Sequence, residues 1–488
     1  MSHKVYQDPL VGRYTSQEMQ KLFSLQTKFE WWRKCWIALA ESQKELGLEL
    51  ITQEMIDEMY AAATTIDYAV AKDKEKEIRH DVMAHVYEFG THCPKAKWII
   101  HLWATSQFVN DNTELLQMKQ GLDLLKTKLV RVIANMANIA EQYIDVVTLW
   151  FTHYQSAQPT TIGKRMTLYI QDLLMDLESL EQLTIPARGT KGTTGTQASY
   201  LELFSGDYEK VKKLDQLVAK KLWYDTVFPV TAQTYPRKLD TKIAEVCAWI
   251  AVSLTKFATD LRLLSHQKIV DEPFSLHQTW SSAMAYKRNP MRSERLCGLA
   301  RKLMGLVPNF YQTASVQWLE RTLDDSAIRR MDIPQVFLLT DAILLLAENI
   351  TNQDGDPSIG RPLTFYPERI KTILEQELPF MTTEAILMDL AHAGYDRQDM
   401  HELIKKHSVA AWLDIKEEGK ENNLFERLGE DVLFPLSEDD LAAYLDNPQR
   451  YAWAAVDQTE EFLRDIVFPK IHAYKEVFAG TSHVKLAV

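Results

Sequence analysis

The segment IPQVFLLTDAILLLAENI, residues 333–350, is apolar almost all the way round a helical wheel. A helix of this kind has to pack against several others at once. Two further segments carry a single apolar stripe with steps of three, four and seven residues. They comprise Leu115, Leu122, Leu125, Leu129, Val132, Met136 and Ile139, and Ile243, Val246, Ile250, Leu254, Phe257, Leu261 and Leu264. Alternating strand patterns are scarce, so the sequence predicts an all-α protein built on a central bundle of long helices.

Two interruptions divide this helical pattern. Glycines and prolines punctuate residues 351–370, which indicates a boundary between helical segments. The segment DNTELL, residues 111–116, has the composition of a helix start. We therefore expect three helical domains: an N-terminal domain at 1–110, a central long-helix domain at 111–355 and a C-terminal domain at 356–488.

The composition is that of an ordinary globular protein. The chain has 488 residues, of which 46% are hydrophobic and 25% charged, and a formal net charge of −12. Its cysteines, at positions 35, 93, 247 and 297, lack paired spacing, which disfavours disulfides and thiolate zinc sites. The N-terminus lacks an apolar signal core, and no eighteen apolar residues run together. We expect a cytoplasmic protein that binds neither membrane nor nucleic acid, with local cations that meet a small anion.

One such cation cluster lies in TWSSAMAYKRNPMRSER, residues 279–295, beside Ser281 and Ser282. Neither a Gly-x-Ser-x-Gly elbow nor a Ser-x-x-Lys arrangement is present, so the segment does not indicate a hydrolase. From composition alone, the serines could simply belong to a polar loop or cap a helix that begins near Met291.

Histidines and glycines mark three other polar segments. FTHYQSAQPTTIGKR contains His153, and IRHDVMAHVYEFGTHCPKA contains His80 and His85, whose spacing of five does not fit a helical zinc motif. RGTKGTTGTQASY, residues 188–200, lacks the order of a P-loop. The residues alone thus predict neither a metal site nor a nucleoside triphosphate site.

Taken together, these segments resemble a known superfamily. SSAMAYKRNP is similar to the signature loop of the fumarase, aspartase and argininosuccinate lyase superfamily. KRNPMRSER, FTHYQSAQPTTIGKR, KGTTGTQAS and SVQWLERTLDDSAIRR resemble the adenylosuccinate lyases, particularly the animal-like branch, and the likeness runs from about residue 10 to beyond residue 400. The resemblance implies elimination of fumarate from a phosphorylated succinyl-amine of purine biosynthesis, without cofactor or metal, by a homotetramer whose sites are shared between subunits.

The resemblance also implies residue roles. Ser281 corresponds to the base and His153 to the general acid, and Lys287 would stabilise the negative charge that develops. His80 would contact the substrate phosphate or support His153, and Glu294 belongs with the catalytic residues of the signature segment. The implied substrate-binding residues are Arg13, Tyr14, Arg79, Asp81, Thr105, Ser106, Gln233, Asn289, Arg295, Arg321, Ser326 and Arg330.

The chain departs from the family pattern at five tryptophans. Trp103, Trp150 and Trp280, and less securely Trp98 and Trp223, stand where relatives carry glycine, and Ala285 stands at the signature proline. A tryptophan at such a position should clash or force a positive φ. Three interpretations stay open: glycine in the natural chain, since UGA is read as tryptophan or glycine in different genetic codes; an impaired nucleotide-binding relative; or a lyase with another substrate, such as argininosuccinate.

Overall fold

The computed structural model describes residues 4–274, 283, 284, 286–352 and 361–478. Short helices occupy the N-terminal part and surround one long buried helix. They are α1 (Pro9–Arg13), α2 (Gln17–Leu22), α3 (Leu25–Glu45), α4 (Gln53–Ala61), α5 (Tyr68–Ile78) and α6 (Asp81–His92). The long helix among them is α3, which buries Trp32 and Trp36 completely or almost completely.

Long helices form the centre of the protein. The central elements are α7 (Ser106–Gln142), the hairpin strands β1 (Val147–Thr152) and β2 (Gln155–Thr161), α8 (Ile162–Glu181), α9 (Ala198–Leu203), α10 (Tyr208–Lys221), α11 (Lys238–His266), β3 (Val270–Asp271), α12 (Met291–Met304), α13 (Val307–Ser315) and α14 (Asp324–Thr351). Helix α14 packs against α7, α11 and α12. The predicted all-α bundle is therefore confirmed.

An ion pair lies inside this apolar bundle. Asp341 in the middle of α14 pairs with Lys128 of α7, and both side chains are almost fully buried. The second carboxylate oxygen of Asp341 accepts a hydrogen bond of 2.7 Å from the backbone N–H of Ser16. A buried charge is tolerated when it is paired and hydrogen-bonded in this way. The cluster fastens the N-terminal helices to the bundle.

The C-terminal part is again helical. It contains β4 (Thr364–Phe365), α15 (Pro367–Met381), α16 (Thr383–His392), α17 (Arg397–Leu413), α18 (Leu424–Gly429), α19 (Glu438–Ala442), α20 (Ala455–Phe462), α21 (Phe468–His472) and α22 (Lys475–Phe478). Strand β4 pairs antiparallel with β3. Helices α16 to α19 bury a small apolar core of their own. The three-domain division stays a prediction.

The helix start predicted at DNTELL is wrong, because α7 begins five residues earlier, at Ser106. The polar residues at its predicted start are instead buried within the helix and hydrogen-bonded. Asp111 accepts hydrogen bonds from Arg237 and from the backbone of Tyr235. The Asn112 amide exchanges hydrogen bonds with the backbone of Gly189. These residues have the composition of a helix cap but serve as internal tethers.

Among the described residues, α14 alone is long and apolar enough to cross a membrane by length and composition. Within its most apolar 18-residue window, 78% is buried inside the protein.

Candidate functional site

His80 lies at the junction of α5 and α6. The residue before it, Arg79, ends α5 in a left-handed conformation with φ 56°. His80 then caps α6, and its Nδ1 accepts a hydrogen bond of 3.2 Å from the backbone of Met83. The neutral ring therefore carries its proton on Nε2, which lies 3.3 Å from the Ser106 hydroxyl. The cap fixes the ring and aims Nε2 at the start of α7.

Asp81, the next residue, links this junction to α14. Its carboxylate lies 3.0 Å from the Arg330 guanidinium. Burial alone would raise the pKa of Asp81, but the hydrogen bond from Val82 N–H and the charge of Arg330 outweigh burial and hold that pKa below its usual value. Asp81 is therefore an anion that orients Arg330.

Gln233 reaches the same region from the loop before α11. Its amide donates to the Thr105 hydroxyl over 3.3 Å. The guanidinium of Arg188, fully buried, donates to the carbonyl oxygens of Gln233 and Gly192. Gly195 packs so closely that an added Cβ would lie 2.1 Å from the carbonyl oxygen of Thr231. The glycine-rich segment thus serves as a rigid support for Gln233.

Arg321 and Ser326 complete this cluster at the start of α14. With the amide oxygen of Gln107 facing α14, it accepts a hydrogen bond of 2.7 Å from Arg321. The cleft here is lined by Lys28, Gln107, Asn110, Glu114, Arg237, Arg321, Asp325, Ser326, Arg329 and Arg330. Five cations and two carboxylates among these residues favour an anionic ligand. We call this region, together with His80, Asp81, Thr105, Ser106 and Gln233, the cation cleft.

Buried ion pairs fix the floor of the cation cleft. Arg237 donates to Asp325 over 2.8 Å and to Asp111 over 3.1 Å. Arg329 donates to Asp240 over 2.7 Å. The sequence analysis missed these residues; their one signal is the concentration of charges in otherwise apolar helices, and its pairing depends on the fold.

His153 lies elsewhere, at the tip of the β1–β2 hairpin. Thr152 and Gln155 are the last paired residues, so His153 and Tyr154 form a two-residue turn. Both have positive φ, 52° and 59°, as a type I′ turn requires. Asparagine and glycine usually occupy such a turn. The strained tip presents an exposed histidine to the outside of the chain.

A third group surrounds the start of α12. Lys287 is exposed, Asn289 is half-buried, and Glu294 and Arg295 lie in the first turns of the helix. Glu272, which the sequence analysis missed, accepts hydrogen bonds from the backbones of Arg292 and Ser293 and so caps α12.

The predicted helix start near Met291 is confirmed, whereas Ser281, Ser282, Trp280 and Ala285 lie outside the described residues. Arg13 and Tyr14, at the end of α1, form no contact with the cation cleft that the structure records. The serine cap of α12 is wrong in so far as Glu272 caps the first turns of the helix.

The structure separates His153 from the cation cleft. Helix α7 has 37 residues and is about 55 Å long; Ser106 begins it, and the hairpin follows its end. A hydrogen bond from Ile162 to Val146 anchors the hairpin base there. From Val146 the chain can reach back about 23 Å to His153. Within one chain, roughly 30 Å therefore separates His153 from Ser106.

The expected backbone strain occurs at two of the five tryptophans. Trp103 and Trp223 have positive φ, 60° and 58°, and more than half of each side chain is exposed. The expectation is wrong for Trp98 and Trp150, which do not have positive φ. Trp150 lies at an irregularity of the β1–β2 register. Trp453 adds a case that the sequence analysis missed, with φ 50° and ψ −126°.

Comparisons with known proteins match the whole chain. Residues 1–305 match the family model described as "Lyase", and residues 379–462 match "Adenylosuccinate lyase C-terminus". Adenylosuccinate lyase of Schistosoma mansoni is 46% identical over 485 residues, covering 99% of both chains. Adenylosuccinate lyase of Saccharomyces cerevisiae is 45% identical over 487 residues, again covering 99% of both.

Solved structures match the fold. The 3-carboxy-cis,cis-muconate lactonizing enzyme from Pseudomonas putida superimposes with a TM-score of 0.78 at 22% identity, covering 96% of this chain and 100% of its own. The fumarate lyase from Mesorhizobium sp. BNC1 has a TM-score of 0.77 at 22% identity, covering 94% of this chain and 99% of its own.

Proposed function

The chain belongs to the adenylosuccinate lyase family, and from that membership we propose the reaction that it catalyses. It is a carbon–nitrogen lyase of purine biosynthesis that eliminates fumarate from adenylosuccinate to give AMP. It performs the same elimination on succinylaminoimidazole-carboxamide ribotide to give AICAR. The observation that carries this proposal is identity of 45–46% to adenylosuccinate lyases over 99% of the chain. That identity does not favour argininosuccinate as the substrate.

The elimination moves two protons. The Ser281 oxygen removes a proton from the carbon beside a carboxylate, and Lys287 stabilises the negative charge on that carboxylate. The electron pair forms the carbon–carbon double bond of fumarate as the carbon–nitrogen bond breaks. His153 supplies the proton that the departing nitrogen takes up. This step needs no metal and no redox partner.

The cation cleft supplies binding rather than proton transfer. The substrate carries a phosphate and two carboxylates, and arginines offer planar, two-pronged donors that suit both groups. Arg321, Ser326 and Arg330 supply such donors at the start of α14. His80 and Ser106 already lie within hydrogen-bonding reach of each other beside them.

The complete site takes residues from more than one chain. Roughly 30 Å separates His153 from Ser106 in one chain, farther than a bound substrate can bridge. A second copy can bring its His153 tip to the cation cleft of the first. We place these contacts in a homotetramer, since Trp249 on α11 and Met175 on α8 leave apolar surface exposed on bundle helices. The proposed location is the cytoplasm.

Release of fumarate from adenylosuccinate by the purified full chain tests the proposed function. Ser281→Ala should abolish release while AMP binding and helix content persist, because only the base is lost. Ser282→Ala is the matched control and should lose much less activity, since its hydroxyl has no assigned proton to move. Full activity in Ser281→Ala would refute its role as the base, and a native chain that releases no fumarate would refute the proposed function.

A further inference from the structure

Two neighbouring cavities open beside the start of α14, and Lys28 lines both. The smaller one is part of the cation cleft. The larger one, about 190 Å³ in volume, lies between α2, α3, α7 and α14 and is lined by Phe23, Leu25, Lys28, Glu114, Gln117, Arg329, Arg330, Ile333 and Pro334. Lys28 belongs to the first turn of α3, which no sequence motif marks.

Lys28 differs from the arginines of the cation cleft in its partners. Arg237 and Arg329 form short ion pairs with carboxylates, and Arg330 pairs with Asp81. Across the described residues, the structure gives the Lys28 ammonium no ion pair within 4 Å and no hydrogen bond. Its nearest recorded contact is the ring of Trp32, whose centre lies 5.1 Å from Nζ.

An ammonium in this position is under electrostatic stress. Burial lowers the pKa of Lys28 below its usual value, and the nearby carboxylate of Glu114 only partly opposes that effect. Arg330 and Arg329 lower the same pKa further by repulsion. A ligand anion would relieve both the burial and the repulsion, because it would replace the missing partner.

We propose that Lys28 is a further substrate-binding residue, whose ammonium pairs with an anionic group of the substrate held by Arg321, Ser326 and Arg330. The anionic group is the phosphate or a carboxylate. This inference rests on the proposed function for the identity of the ligand. Lys28 moves no proton in the reaction, so its contribution lies in affinity.

Binding of the two products to the full chain separates these cases. Lys28→Met should bind AMP about 10- to 100-fold more weakly if the ammonium meets the phosphate, since a charge-assisted contact is lost. It should bind fumarate correspondingly more weakly if the ammonium meets a carboxylate. Lys28→Arg keeps the charge and should retain most of the affinity. Lys44→Met is the matched control, because Lys44 lies on the same helix about 24 Å away and bonds Gln53.

A pH series excludes a merely structural effect. Affinity of the native chain for the affected product should fall as Lys28 loses its proton, at a pH below the usual lysine value of 10.5. Lys28→Met should lack that fall, and Lys28→Arg should shift it to higher pH. Equal affinity of Lys28→Met and the native chain for both products would overturn the inference. Product binding is measured without turnover, so this result is distinct from a native chain that releases no fumarate.

Discussion

Glycine at positions 103, 223 and 453 should stabilise the protein relative to alanine, whereas at position 249 the order should be reversed. The first three tryptophans have positive φ, and Trp249 lies inside α11 at an ordinary helical φ. All four side chains are 53–62% exposed, so loss of the indole removes similar contacts at each. Comparing glycine with alanine at one position cancels that loss and leaves the backbone effect.

The expected difference follows from two opposing terms. A residue with a Cβ costs about 1–2 kcal/mol in the left-handed region. Glycine costs about 0.5–1 kcal/mol through the freedom that it loses on folding. Glycine should therefore be favoured by about 0.5–1 kcal/mol at 103 and 223, and at least as much at 453, where φ and ψ match the glycine position of a type II′ turn. At 249, alanine should be favoured by about 1 kcal/mol.

Thermal unfolding of the triple glycine and triple alanine variants measures the sum. A chain of 488 residues shifts its Tm by about 1 °C per kcal/mol, and distant sites add, so the triple glycine variant should unfold about 2–3 °C higher. The Trp249 pair should shift the other way. A triple alanine variant at least as stable as the triple glycine variant would refute the reasoning. Peptide masses of the natural protein give an independent check, since glycine at 103, 150 and 280 would identify these positions as glycine.

Two other predictions concern assembly and pH. Mixing His153→Ala chains with Ser281→Ala chains should restore part of the fumarate release through hybrid assemblies; no recovery after confirmed subunit exchange would contradict sites shared between chains. Asp176→Asn should raise the unfolding free energy by up to about 3 kcal/mol at pH 7.5 and by little at pH 4. Burial raises the pKa of Asp176 from 3.8 to about 6, so the folded chain holds a proton that the unfolded chain releases, and native stability falls as pH rises through this interval. An equal Tm difference between Asp176→Asn and the native chain at both pH values would contradict that assignment.

The bundle could be predicted from sequence because its signal is local. The apolar steps in 115–139 and 243–264 indicate helices whatever surrounds them, and both lie within the helices observed. The start of α7 could not be predicted in this way. Asp111 and Asn112 have the composition of a helix cap, and only their long-range partners, Arg237 and Gly189, explain their burial inside a helix.

The site shows the same limit. Motifs identify His80, His153 and Arg321 one at a time, because each motif is a short stretch of sequence. That His80 meets Ser106, while His153 lies at the opposite end of α7, depends on the path of the chain through the bundle. Lys28 and Glu272 carry no motif at all. Their roles follow from a cavity and a helix end that exist only in the folded protein.

The length of α7 also decides how the enzyme responds to gene dosage. Each chain lends its cation cleft to one site and its His153 tip to another. A chain with a defective tip therefore silences one site and leaves intact the site that uses its cleft. In a cell that makes normal and tip-defective chains together, activity should decline in direct proportion to the defective fraction. An oligomer that one bad subunit poisons as a whole would lose activity far more steeply.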